Sequence, residues 1–248
     1  MHFKELDIFL NSHLDVKKYK DYCPNGLQVQ GNREISKIIT GVTACEALID
    51  EAILQNADAI IVHHGFFWKG EEYSITGMKY NRISKLINSG IHLFAYHLPL
   101  DGHKELGNNI LLAKKLGLTN IEFFSTGADI DISVIGDCMV NLEQFTRNIH
   151  NQLDREPLVI KANNKNNRVA ICTGGAQDYI EYAHKSGADT FISGEISERT
   201  THTARELGIN YIAAGHHATE IFGVRALGEF LSERFYIKNT FININNPA

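Results

Sequence analysis

The chain has 248 residues, 44% apolar and 21% charged, with a formal net charge of −5. That length buries a substantial core as one domain or two modest ones. With no apolar run of about 18 residues there is no membrane span, and the acidic balance makes nucleic acid a poor candidate partner. The N-terminus carries no apolar signal core. Cys23, Cys45, Cys138 and Cys172 show no Cys-x-x-Cys spacing and read as reduced apolar fillers of a cytoplasmic protein. Half of the 12 histidines fall in three patches, His63-His64, His97 with His103, and His216-His217.

In chain order, Phe3, Leu6, Phe9 and Leu10 recur at helical spacing. A turn at Cys23-Pro24-Asn25-Gly26 precedes a short strand at 27–29, a strand at 35–42 and a helix over 44–55. The run Ile60-Ile61-Val62 predicts a strand over 58–62 buried on both faces, as in parallel α/β sheets. His63 and His64 sit at its C-terminal end, the edge where open α/β sheets bind ligands. Neighbours on an extended chain point to opposite sides, but a turn beginning at Gly65 would let both imidazoles face one cavity. Three aromatics, Phe66, Phe67 and Trp68, follow in a loop. A helix over 79–88 leads to a strand at 91–95, which runs into His97 and Asp101. A helix over 106–116 stops at Gly117, and a strand at 121–124 closes the first half. The second half predicts a strand near 132–136, a helix near 141–153, a hairpin of 157–162 with 168–173 around the asparagine run, and a last helix from 216 to about 232.

The chain repeats itself. "IITGVTACEALIDEAILQNADAIIVHH" resembles "AICTGGAQDYIEYAHKSGADTFISGE", with Thr40-Gly41 matching Thr173-Gly174 at an offset of 133 and Ala57-Asp58 matching Ala188-Asp189 at 131. "LINSGIHLFAYHLPLD" resembles "ARELGINYIAAGHHATE", with Gly90-Ile91 matching Gly208-Ile209 at 118. The pattern predicts an α/β fold of two similar units made by internal duplication. Residues 1–126 with about 221–248 would form the first and 127–220 the second. The competing reading is that any two strand-helix-strand units look alike at this level. Two copies facing one another would bring His63-His64, Asp101 and the Gly215–Glu220 stretch to a shared cleft, the geometry a polynuclear metal site needs.

His216 and Glu220 are four apart, so on a first helical turn they share a face and can ligate one ion or two adjacent ones. The alternative is a glutamate favoured by the helix dipole and a capping histidine. His217 projects elsewhere, and His103 and His202 read as surface or supporting residues. His97-x-x-x-Asp101 has the same spacing, but Pro99 inside it predicts a non-helical path. Asp101 is either a carboxylate bridging two cations or a turn-former bonding its own backbone. His97 reads as an orienting residue or proton carrier in preference to a ligand. His63, His64, Asp101, His216 and Glu220 are too few for two closed four-ligand sites. They suit two ions, about 3.5–4 Å apart, that share carboxylate bridges and keep positions open for water. Nitrogen and oxygen donors without thiolate fit zinc, iron(II) or manganese.

The stretches "CPNGLQVQG" at 23–31, "IVHHGFFW" at 61–68, "HLPLDGHKELGNN" at 97–109 and "SGEISERTTHTARELGINYIAAGHHATE" at 193–220 resemble the GTP cyclohydrolase 1 type 2 family, also called Nif-three-like or dinuclear metal centre proteins. The resemblance covers nearly the whole chain. It implies a two-domain α/β fold with a dinuclear metal centre between the domains, and the same five ligands. It also implies a toroidal homohexamer, without the inserted middle domain of longer members. The implied reaction is hydrolytic opening of the guanine imidazole ring of GTP, a small-molecule substrate, at C8 with loss of formate. His97 or Glu195 would carry the proton to the departing ring nitrogen. Glu195 stands where the repeat places His64, and a structural salt bridge is its competing role. Lys69, Lys79, Arg82 and Arg199 are the cations on hand for a triphosphate, and no glycine-rich phosphate loop is present. The same metal chemistry on a phosphoester or amide, and a non-catalytic metal-binding ring, are the alternatives.

Overall fold

Short apolar runs become strands buried on both faces in the computed structural model, which describes residues 1–248. In chain order the strands are β1 Gly26–Val29, β2 Lys37–Thr43, β3 Ala59–His64, β4 His92–Ala95, β5 Thr119–Phe123, β6 Val134–Asp137, β7 Leu158–Ile160, β8 Arg168–Ile171, β9 Thr190–Ser193, β10 Asn210–Ala213 and β11 Lys238–Phe241. The helices are α1 Phe3–His13, α2 Glu46–Leu54, α3 Gly77–Ser89, α4 Leu98–Asp101, α5 Asn108–Lys115, α6 Leu142–Leu153, α7 Ile180–Lys185, α8 Glu198–Leu207, α9 His216–Thr219 and α10 Ile221–Phe235. No helix is long and apolar enough to cross a membrane. The chain divides into two units, Met1–Leu100 with Gly223–Asn245, and Asp101–Phe222 with Asn246–Ala248.

The first unit is a five-stranded sheet in the order β1-β4-β3-β2-β11, parallel except for β1. Leu48, Ile49 and Ala52 of α2 and Ile83 and Leu86 of α3 pack on Ile39, Ile60, Val62 and Leu93. The second unit is a six-stranded sheet in the order β5-β6-β8-β9-β10-β7, with β8, β9 and β10 parallel. Leu112 and Leu116 join Phe145 and Ile149 against Val169, Ile171 and Ile192 in one cluster. Ala183 and Ala204 join Phe191 and Tyr211 in another. Parallel strands covered on both faces explain why the runs are continuously apolar instead of alternating.

The two units repeat one plan. β1-β4-β3-β2 and β7-β10-β9-β8 occur in the same order. Ile38 pairs with Ala59 as Val169 pairs with Thr190, and Ala59 pairs with His92 as Thr190 pairs with Asn210. The Asp58 carboxylate accepts the N–H groups of Ser36 and Lys37 at 2.9 Å each, while that of Asp189 accepts those of Asn167 and Arg168 at 3.0 and 3.2 Å. This register sets the offset at 131 for β2 and β8 as well as β3 and β9. The match of Thr40-Gly41 with Thr173-Gly174 is therefore two residues out of step.

Four expectations change. The boundary falls after Leu100 instead of near 126, because β5 pairs with β6 and Leu112, Ala113, Leu116 and Leu118 enter the second unit's core. Strands β7 and β8 are not a hairpin: β7 takes the edge beside β10, and β8 lies between β6 and β9. The asparagine run ties the connection down. Asn163 donates to the carbonyls of Asp189 and Gly208, and Asn210 accepts from the N–H groups of Ala162 and Asn163. Thirdly, the last helix is two helices, broken at Glu220 with φ −111° and ψ 11°. Finally, Pro99 does lie in a helical turn, α4, because a first-turn residue needs no intrahelical N–H partner.

Candidate metal centre

In the first unit, β3 delivers His63 and His64 to the C-terminal edge of the sheet, and the chain leaving β4 delivers His97. Their ring centroids lie 4.6 Å (His63–His64), 5.1 Å (His63–His97) and 5.7 Å (His64–His97) apart. One nitrogen from each ring falls within 4.8 Å of the others, close enough to hold a metal ion. Each Nδ1 is engaged: His63 at 2.9 Å on the carbonyl of Tyr96, His64 at 3.2 Å on the Thr43 hydroxyl, and His97 at 2.7 Å on the Asp21 carboxylate. The carbonyl on His63 and the carboxylate on His97 can only accept, so they hold Nδ1–H and leave the Nε2 lone pair that a cation needs, while the Thr43 hydroxyl can donate or accept. Gly65 ends the strand where a side chain has no room. A Cβ there would lie 2.2 Å from the Gln28 side-chain oxygen, which caps the N–H of Phe66 at 2.6 Å.

Asp21 is the residue that sequence reasoning missed. Its carboxylate accepts from His97 Nδ1, from the N–H of Leu98 at 2.9 Å and from Asn25 at 2.8 Å. Burial works to raise the Asp21 carboxyl, but the His97 hydrogen bond and charge, with hydrogen bonds from the Asn25 side chain and the Tyr22 backbone, leave it below its ordinary value. Cys23 groups with Asp21 and His97 within 4.8 Å, yet burial first and the Asp21 charge second push its thiol up to about 12. It stays protonated at neutral pH.

In the second unit, Asp101 at the end of α4 is 5% exposed and Glu220, between α9 and α10, is 3% exposed. They offer carboxylate oxygens within 4.8 Å of one another. Carboxylates buried this deeply are costly unless they are paired or hold a cation. The Asn108 amide donates to Asp101 at 2.9 Å and the Thr173 hydroxyl at 3.4 Å, and Asn109 in turn holds the N–H of Thr173 at 2.8 Å. Both asparagines lie in the 97–109 motif, which was their sequence signal.

His216 opens α9 between two carboxylates, with Nδ1 2.6 Å from Glu195 and Nε2 3.2 Å from Glu220. Burial would depress this imidazole, but Glu220 and then Glu195 outweigh it and push it up to about 9. A pocket that holds a proton so firmly is also a pocket for a divalent cation, with the proton exchanged for metal. Glycines make the approach possible. A Cβ on Gly174 would lie 2.2 Å from the Glu220 oxygen, and one on Gly194 would lie 2.5 Å from the His216 Cα. Glu195 is itself fixed, since its carbonyl accepts the Tyr211 hydroxyl. Two of the four cations named for a triphosphate are engaged elsewhere: Lys79 pairs with Glu71 at 3.2 Å and Arg199 with Asp178. His202 pairs with Glu198 on the surface.

The donor set therefore suits divalent metal: three imidazoles in one unit, and one imidazole with two buried carboxylates in the other. The family model described as Duf34/NIF3 (NGG1p interacting factor 3) matches residues 1–247. A relative from Pasteurella multocida called "GTP cyclohydrolase 1 type 2 homolog" is 50% identical over 252 residues, spanning 100% of both chains. One of the same name from Pseudomonas aeruginosa is 48% identical over 238 residues, 95% of this chain and 94% of its own. Among solved structures, protein ybgI, described as of unknown function, superposes with a TM-score of 0.95 at 46% identity over 100% of both chains. TTHA1606 from Thermus thermophilus gives 0.89 at 33% identity, again over 100% of both.

Proposed function

Since this chain belongs to the Duf34/NIF3 family, we propose that it is a dinuclear metal-dependent hydrolase in which His63, His64, Asp101, His216 and Glu220 hold two divalent ions, zinc, iron(II) or manganese. The observation that carries the reading is the pair of buried carboxylates, Asp101 and Glu220, with the imidazole of His216 3.2 Å from Glu220. Bound ions of this kind supply Lewis acidity and lower the pKa of coordinated water toward neutrality.

The name of the relatives makes GTP the first substrate to test, with opening of the guanine imidazole ring and release of formate. The chain's own residues divide the remaining work. Asp21 holds the Nδ1–H of His97, so that Nε2 would accept the proton released by the attacking water and pass it to the departing ring nitrogen. Glu195 acts through His216 as its orienting carboxylate. The proposal extends to a cytoplasmic homohexameric ring as the working form, to be tested by sedimentation at six chain masses.

The deciding experiment loads purified protein separately with zinc, iron(II) and manganese and measures formate released from GTP. The expected result is formate equal to GTP consumed with at least one metal. GTP left intact with all three, while His63→Ala both loses metal and dissolves the oligomer, would transfer the site to a structural or regulatory role. Turnover of a phosphoester or amide in its place would keep the metal chemistry and replace the substrate.

A further inference from the structure

Trp68 is the only tryptophan in the chain, and it stands against the imidazole cluster. Its ring centroid lies 4.9 Å from that of His97, edge to face at 84°, and 5.9 Å from that of His64. The indole is half-buried, and its Nε1–H donates to the carbonyl of Gly65 at 3.2 Å. The backbone beneath it is held as firmly. The Trp68 N–H donates to Glu71 at 3.3 Å, the Lys69 N–H to the Tyr22 carbonyl at 2.7 Å, and Lys79 closes the loop through Glu71 at 3.2 Å. Lys79 also sits 5.1 Å over the ring of Phe67, a residue at φ +65°, a conformation that non-glycine residues rarely adopt.

An indole whose rotamer is set by its own N–H has little orientational freedom left to lose when a ligand arrives. Its surface is large and rigid, and it borders both an imidazole that the proposed reaction assigns to metal and one that it assigns to proton transfer. The residue is neither fully buried nor fully exposed, so part of its surface stays accessible in the chain.

We infer that Trp68 is a binding residue, the aromatic wall on which a planar heteroaromatic base stacks next to His64 and His97. The inference rests on the proposed reading for the identity of the base, a purine, but its measurement does not depend on turnover. Stacking on an aromatic side chain is sequence-tolerant and contributes through contact area. The indole should therefore respond to the base and not to the phosphates.

Because the chain has one tryptophan, its fluorescence reports this position alone. The test titrates metal-loaded and metal-free full-length protein with guanosine, GTP and ribose 5-triphosphate, following tryptophan emission. Guanosine and GTP are expected to quench it saturably, and ribose 5-triphosphate is expected to leave it unchanged. Equilibrium dialysis with labelled GTP then compares variants. Trp68→Ala should weaken binding about 10-fold, equal to about 1.4 kcal/mol, and Trp68→Phe should recover most of the loss. Both variants should keep the wild-type metal content by elemental analysis. Quenching by ribose 5-triphosphate equal to that by GTP overturns the inference, as does unchanged GTP binding in Trp68→Ala. Loss of metal in both variants also overturns it, by assigning the indole to support of the histidines. Formate release separates the two readings: turnover without a response from Trp68 sinks this inference alone, and a purine response without turnover sinks the reaction alone.

Discussion

Glu195 and Asp21 make the same contact on different imidazoles, each accepting from an Nδ1, at 2.6 Å on His216 and 2.7 Å on His97. A carboxylate in that position fixes the ring's orientation and tautomer and raises the basicity of the other nitrogen. Glu195→Gln should therefore cost about 10–100-fold in metal affinity with circular dichroism unchanged, as measured by competition with a chelating indicator; wild-type affinity would remove Glu195 from that role. Asp101→Asn or Glu220→Gln should lower metal content from about two ions per chain toward one or none. Elemental analysis that still finds full stoichiometry would take that residue out of the ligand set. His216 with Glu220 was legible in the sequence because four residues of spacing suffice to bring them together, even across the break at Glu220. Asp21 was not, because 76 residues separate it from His97 and no local rule links a carboxylate in an N-terminal turn to the residue after β4. Only the folded sheet makes them neighbours.

Among the elements, the strands were readable where apolar runs fill both faces, and the repeat was readable in Asp58 and Asp189. Each of these carboxylates gathers the backbone at the start of the preceding parallel strand. Asp58 also accepts the Ser36 hydroxyl at 2.9 Å. Burial acts to raise its carboxyl, and these hydrogen bonds with the Arg33 charge bring it below its ordinary value. A carboxylate depressed in the folded state contributes stability above its unfolded pKa of about 3.9 and loses it as pH falls through the folded value. Asp58→Ala should thus cost about 1.5–3 kcal/mol at pH 7 by urea unfolding, with the difference from wild type shrinking below pH of about 4. A gap that stays constant down to acid pH would show that charge has no part in it. The hairpin expected from β7 and β8 failed for a related reason. Three and four residues carry no register information, and pairing went instead to the strand that completes the unit's shared plan. Pro99 misled in the other direction, since its restriction applies to helix interiors and α4 is a single turn.

At the scale of the whole molecule, each unit has its own apolar core, and the proposed ions are the added source of stability. A ligand bound only to the native state stabilises it by about 2.7 kcal/mol at 100 times its Kd. Chelation should therefore lower the thermal midpoint, and re-addition of metal should raise it in step with the logarithm of free ion. A midpoint indifferent to chelator would mean that no tightly held ion contributes to the native state. The division into two units was visible from the repeat, but its first boundary was not. Residues 101–126 look like the tail of the first copy until β5 is seen to pair with β6. The resulting order of the chain bears on how the protein is made. Residues 101–222 are inserted within the first unit's sequence, and β11, the strand that covers β2, comes at 238–241, after all of them. A nascent chain leaving the ribosome can complete the second unit's strands while the first unit's sheet still lacks β11. Until residues 238–241 emerge, β2 presents open backbone groups to any strand that passes, so the interval at risk of misassembly lasts for as long as the inserted residues take to be made.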